Sequence, residues 1–231
     1  MAKAVWPGGT AMVENAAEAR RQAGIPAHEQ VYRSLRESVL FGSLAPGEPV
    51  TIQGLVERLG AGMTPVREAI RRLTAEGALQ ALGNRRIEVP VLGAAAIEEL
   101  TEARLALEPR LAMRAAERAA PEDVVRLSEI DTRLDRAILR GDIEGYLREN
   151  HAFHSVLNDV AQAPVMKALT ESLWLRFGPS LRVVCGQMGT RHLPDCHKDL
   201  VRALEARDGA AAARAIEQDV AQGMEMILQS L

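Results

Sequence analysis

The chain has 231 residues, 47% of them hydrophobic and 26% charged, with a formal net charge of −3. That length accommodates one large domain or two small ones, and the near-neutral balance means that any attraction to a polyanion must come from a local patch. Aromatic residues at 3% argue against a stacking platform for single-stranded nucleic acid. The two cysteines, Cys185 and Cys196, make neither a disulfide framework nor a multi-cysteine zinc motif, which fits a reducing, cytoplasmic setting. No apolar run approaches the roughly 20 residues needed to span a bilayer, so no membrane partner is expected.

Residues 1–26 read as a flexible tail with a partial helix over Glu14–Gln22 and no apolar core of an export signal. From His28 the pattern turns helical: Val31, Leu35, Val39 and Leu40 share a face, and Phe41-Gly42-Ser43 ends the element. Leu44 to Glu48 reads as a turn. Thr51 is then the expected cap of a short helix running to Leu59, with Gly60 as its stop.

Thr64-Pro65 reads as the cap and first residue of a second short helix, whose apolar face is Val66, Ala69, Ile70 and Leu73 and which stops at Gly77. Two extended runs, Ala78–Leu82 and Ile87–Val91, hinge at Gly83-Asn84 as a hairpin. From Ala94 only helical periodicity follows. Helices are expected at Ala94–Ala119, Glu122–Arg140, Ile143–Ala161, Pro164–Gln187, Leu193–Arg207 and Ala210–Leu231, with a kink at Pro109. The fold class is therefore mainly α: a winged helix-turn-helix at 27–91 followed by an all-helical bundle at 94–231.

Chemistry in the first part centres on the second short helix. Its core-facing residues leave Thr64, Arg67, Arg71 and Arg72 on other faces, beside a helix N-terminus whose free N–H groups suit phosphate. Arginine can clamp phosphate or read guanine with two donors. Arg85 and Arg86 stand just past the hairpin tip, where a wing would meet DNA. The bland alternative is a solvated face, with Arg67–Glu68 or Arg72–Glu76 pairing locally.

The run Gly42-Ser43-Leu44-Ala45-Pro46-Gly47-Glu48, then Leu55 to Gly60, then Thr64-Pro65-Val66-Arg67-Glu68-Ala69-Ile70-Arg71-Arg72-Leu73 and Glu76-Gly77 resembles the DNA-binding head of GntR-family regulators. The resemblance implies a homodimeric repressor or activator on a short palindromic double-stranded operator, with Gln53, Thr64, Arg67 and the wing tip at Gly83 touching DNA. Met63 and Gln53 depart from residues frequent in the family at those places.

The remainder is similar to the FadR-type, or FCD, C-terminal domain of that family. The resemblance is carried by Glu102-Ala103-Arg104 with Leu107-Glu108, by Ala152-Phe153-His154, and by His197 with Leu204 and Asp208. Leu173-Trp174-Leu175-Arg176-Phe177-Gly178-Pro179 is similar to its McbR-like branch. Many such domains hold a divalent metal, and the aligned positions here are Asn150, His154, His197 and Asp219. The i, i+4 spacing puts Asn150 and His154 on one helix face, and the set offers two imidazoles, a carboxylate and an amide oxygen, enough in principle for Zn²⁺ or Ni²⁺. Asn150 and Asp219 depart from the usual aspartate and histidine, so loss of the metal is an equal alternative. His151, beside Asn150, is expected to face solvent.

Similarity also implies a small organic acid effector whose carboxylate meets Arg104; Arg176 and Arg182 are weaker candidates, and an internal ion pair from Arg104 to a neighbouring glutamate is the competing reading. Trp174 and Phe177 read as core or dimer contacts. Two other function classes remain: a metal-dependent enzyme built on His154, His197 and Asp219, and a helical interaction module. No nucleophile motif, phosphate loop or carboxylate pair supports the enzyme.

Overall fold

The computed structural model describes residues 25–83, 86–188 and 196–231. The expected helix over Glu14–Gln22 and nearly all of the expected tail lie outside the described residues, as do Asn84 and Arg85.

The head is built from helix α1 (Ala27–Leu40), strand β1 (Pro49–Val50), helices α2 (Ile52–Leu59) and α3 (Met63–Ala75), and strands β2 (Gln80–Leu82) and β3 (Arg86–Glu88). Thr51 caps α2 as expected: its Oγ1 accepts from the Gly54 N–H at 3.0 Å, and Gly60 closes the helix at φ +58°. Helix α3 starts earlier than the sequence suggests. Gly62 is its cap and Met63 its first residue, so Thr64 lies inside the first turn and caps nothing. A strand was also missed: Pro49–Val50 pairs antiparallel with β3 and completes a three-stranded sheet in the order β1-β3-β2. Two residues are too few for a periodicity signal.

The body holds α4 (Ala94–Arg118), α5 (Pro121–Arg140), α6 (Ile143–Val160), α7 (Pro164–Met188), α8 (Cys196–Glu205) and α9 (Gly209–Gln229). Asp142 and Asp208 cap α6 and α9 by accepting from the N–H groups of Gly145 and Ala211, both at 2.9 Å. Pro109 sits inside α4, which continues through it for 25 residues, and Pro179 likewise lies within α7. Helix α4 packs along α9 and meets α6, α7 and α8, so it forms the spine of the bundle.

One apolar cluster runs through both parts, from Leu35, Val66 and Leu73 in the head to Leu111, Phe153 and Ile216 in the body. The seam is close. A Cβ built on Gly178 of α7 would lie 2.5 Å from the carbonyl oxygen of Leu40, and one on Gly42 (φ +67°) would lie 2.3 Å from Arg182 Cδ. Both positions are glycine because the end of α1 rests directly on α7.

Candidate functional site

Three helices deliver a polar cluster into the body. His154 comes from α6, His197 from the first turn of α8 and Asp219 from the middle of α9. Each is carried by a local apolar stripe, for example Phe153, Leu157 and Val160 around His154, whose burial places the histidine inside with it. His154 Nε2 lies 3.2 Å from Asp219 Oδ2, and His197 Nε2 lies 3.8 Å from Asp219 Oδ1. One donor atom from each of the three falls within 4.8 Å of the others. Asn150 is buried one turn before His154 on α6.

The opposite edges of both imidazoles face carboxylates. His154 Nδ1 is 3.2 Å from Glu108 Oε2, and His197 Nδ1 is 3.3 Å from Asp131 Oδ1. Glu108 is itself fixed by Arg104, which donates to it at 2.5 and 3.2 Å, both side chains being buried. Burial alone would raise the Glu108 pKa, but Arg104 and His154 hold it down at about 2. Burial would likewise depress His154, yet Asp219 and Glu108 lift it to about 9. Asp219 is pulled down to about 2 against its burial, chiefly by His154.

This donor set fits a divalent ion. Both Nε2 atoms are buried yet hydrogen-bond to none of the described residues, despite the short approach to Asp219. Ligands about 2.1 Å from a tetrahedral ion stand roughly 3.4 Å from one another, close to the two separations measured. A carboxylate faces the far edge of each histidine, the placement from which an imidazole is oriented for metal, although Asp131 Oδ1 hydrogen-bonds to none of the described residues. The Phe153 ring stacks on His197 at 3.9 Å and 12°, which holds that imidazole's plane.

Around the cluster, Trp174 of α7 lies 5.1 Å from His154, ring centre to ring centre, and Tyr146 is buried, its phenol pushed well up by burial and by nearby Cys185 and Asp219. Arg104 caps the faces of Trp174 and Phe177. It is therefore committed to Glu108 and these rings, and of the two readings of Arg104 the internal pairing is the one present. Arg176 stands elsewhere: its guanidinium lies across Gly77 of the head and lines a cavity of about 270 Å³ with Leu92, Glu99, Leu100 and Leu173. Arg182 packs on Gly42.

His151 corrects the sequence expectation. It is not exposed but half-buried at the seam, edge-on between Phe41 (5.8 Å, 82°) and Trp174 (5.2 Å, 84°). Burial, with Arg36 nearby, holds its pKa down at about 4, so the ring is neutral. Sequence reasoning also missed Asp131. The signal was present, since a carboxylate sits on the face that Leu127, Ile130 and Leu134 bury.

On the head, α3 turns Val66, Ala69, Ile70 and Leu73 inward and leaves Thr64, Arg67 and Arg71 exposed. Arg67 makes no hydrogen bond or ion pair with any described residue. Arg71 pairs with Glu68 at 2.6 Å on the surface. Arg72 does not pair with Glu76; it reaches Glu29 of α1 at 2.8 Å and stacks 3.5 Å over Tyr32, whose hydroxyl donates to Glu76 instead. Gln53 donates to Glu57 on α2, and Gly83 and Arg86 are exposed on the hairpin.

Comparison with known proteins agrees with this layout. Residues 27–89 match the bacterial regulatory proteins of the gntR family, and residues 99–222 match the FCD domain. The chain is 28% identical over 204 residues to the HTH-type transcriptional regulator McbR of Escherichia coli (strain K12), covering 87% of this chain and 92% of that one. It is 27% identical over 209 residues to the HTH-type transcriptional repressor RspR of the same organism, covering 88% and 90%. The solved structure of E. coli McbR/YncC superposes with a TM-score of 0.84 at 27% identity, covering 89% of this chain and 99% of that one.

Proposed function

The chain belongs to the GntR family of bacterial regulatory proteins, with an FCD domain behind its head, and is a transcription regulator rather than an enzyme; from this premise we propose that it is a homodimeric repressor whose hold on a palindromic operator is set by a small organic acid bound in the body. The observation that carries the DNA reading is the orientation of α3. Its apolar residues and Arg72 are directed into the protein, which leaves Arg67 unpaired among the described residues near the helix N-terminus. A free guanidinium there can meet a base edge or phosphate while backbone N–H groups meet the phosphate beside it.

Gln53, Thr64, Arg67 and Arg71 would line the major-groove side, and Gly83, Arg85 and Arg86 of the wing the adjacent groove or backbone. A dimer would set two such helices about 34 Å apart along the duplex. In the body, His154, His197 and Asp219, with Asn150 beside them, would hold a divalent cation such as Zn²⁺ or Ni²⁺. A bound ion supplies an electrophilic position for an oxygen of the effector carboxylate. The chain's own part is orientation: Glu108 and Asp131 fix the imidazoles, and Arg104 fixes Glu108.

The test is fluorescence anisotropy on duplex DNA from upstream of the gene, over a salt series. The expected result is binding that weakens steeply with salt, as displaced counterions require, and that Arg67→Ala abolishes in the low-salt arm. Unchanged operator binding by Arg67→Ala would overturn α3 as the reading helix.

A further inference from the structure

We propose that His151 is the residue through which the polar site of the body is coupled to the DNA-binding head. The inference rests on the metal reading above and adds the route by which occupancy reaches the head. His151 and His154 stand one turn apart on α6, and both rings touch the same indole, Trp174, at 5.2 and 5.1 Å. On its other edge His151 meets Phe41, the residue that ends α1. Site, indole, imidazole and head thus form one unbroken file of rings: His197–His154–Trp174–His151–Phe41.

Two features make this file a transmitter rather than a row of neighbours. First, it is held at two points along its length. Arg148, on the same face of α6 as His151, lies 4.5 Å over Phe41 and reaches Glu37 of α1, while Arg104, which fixes the site's Glu108, lies 5.1 Å over Trp174. Second, the end of α1 rests directly on the helix that carries the indole. Leu40 and Gly42 bear directly on Gly178 and Arg182 of α7, the helix that also carries Trp174. A close-packed seam takes up a displaced ring by moving whole elements, so a change at His154 that moves Trp174 must move the end of α1. Helix α1 in turn holds α3 through Glu29–Arg72 and the Tyr32 ring.

The test uses the full-length protein and Zn²⁺ as the probe, with calorimetry for binding and hydrogen–deuterium exchange of the segment 37–44 as the readout. In the wild type, zinc is expected to bind and to change exchange at 37–44 by about 3-fold or more. His151→Ala is expected to bind zinc within about 2-fold of wild type yet lose most of that change, and His151→Phe, which keeps a ring in the file, to retain it. A purely structural role would raise exchange in His151→Ala equally with and without zinc and leave the zinc-dependent ratio intact, which overturns the proposal. So does zinc binding to the wild type with no change at 37–44, an outcome that leaves the metal reading standing. Absence of zinc binding in the wild type removes the metal reading and this inference with it.

Discussion

Substituting Gly178 by alanine tests how tightly head and body are joined. Two effects oppose. Alanine in a helix interior gains about 1 kcal/mol over glycine. Against this, the new Cβ would stand 2.5 Å from the Leu40 carbonyl oxygen and 3.2 Å from Leu40 Cδ1. The carbonyl belongs to the backbone of α1, so nearly an ångström of relief must come from moving one helix off the other, and such overpacking costs about 1–3 kcal/mol. The net is a loss of about 0–2 kcal/mol, concentrated at the seam. Gly186, in the same helix and with nothing within 4 Å of its would-be Cβ, provides the control. Gly186→Ala is expected to raise the melting temperature slightly. Gly178→Ala is expected to speed exchange over residues 35–44 by up to about 30-fold, since 1.4 kcal/mol is a factor of ten. Equal stabilisation by the two variants, with exchange at 35–44 unchanged, would refute the argument that this glycine exists to admit α1.

Four further outcomes follow from the site and the head. Glu108→Ala leaves Arg104 buried without its counter-charge and is expected to cost about 3–5 kcal/mol in chemical denaturation, whereas a solvated pair would cost under about 1. Asp131→Asn is expected to lower zinc affinity by about 10–100-fold in calorimetry, with little change in the melting point of the metal-stripped protein, because it acts on the orientation of His197. Restoring zinc to about 100 times its dissociation constant is expected to stabilise the stripped protein by about 2.7 kcal/mol; identical melting curves would count against the site. Arg72→Ala is expected to lower the melting temperature of the head, while Arg67→Ala leaves it unchanged and removes DNA binding, because Arg72, unlike Arg67, pairs with Glu29 of α1.

What was legible in the sequence was what local chemistry decides. Thr51 and Gly60 bound α2, and Pro121 and Gly141 bound α5, because caps and left-handed stops act over a few residues. The core faces followed from their period, and the recurrence of His154, His197 and Asp219 followed from resemblance. What escaped was set by partners far along the chain. Arg72 looked like a surface charge because Glu29 and Tyr32 lie about forty residues before it. His151 looked exposed because its burial comes from Phe41 and Trp174, contributed by two other helices. Arg104 could be read as a ligand contact or an internal pair, and its pairing with Glu108, with His154 on the far side of that carboxylate, is visible only in the fold.

The seam has one more consequence, for portability. Winged heads and helical bodies invite recombination, with one reader grafted to another sensor at the Pro90–Gly93 linker. Here Gly42 accommodates Arg182, Gly77 accommodates the Arg176 guanidinium, and Gly178 accommodates the Leu40 carbonyl. Each pair is divided between the two parts, so a graft cut at the linker separates every glycine from the group it was made small for. A working hybrid has to carry positions 176, 178 and 182 along with the head, which makes the functional module larger than the winged domain itself.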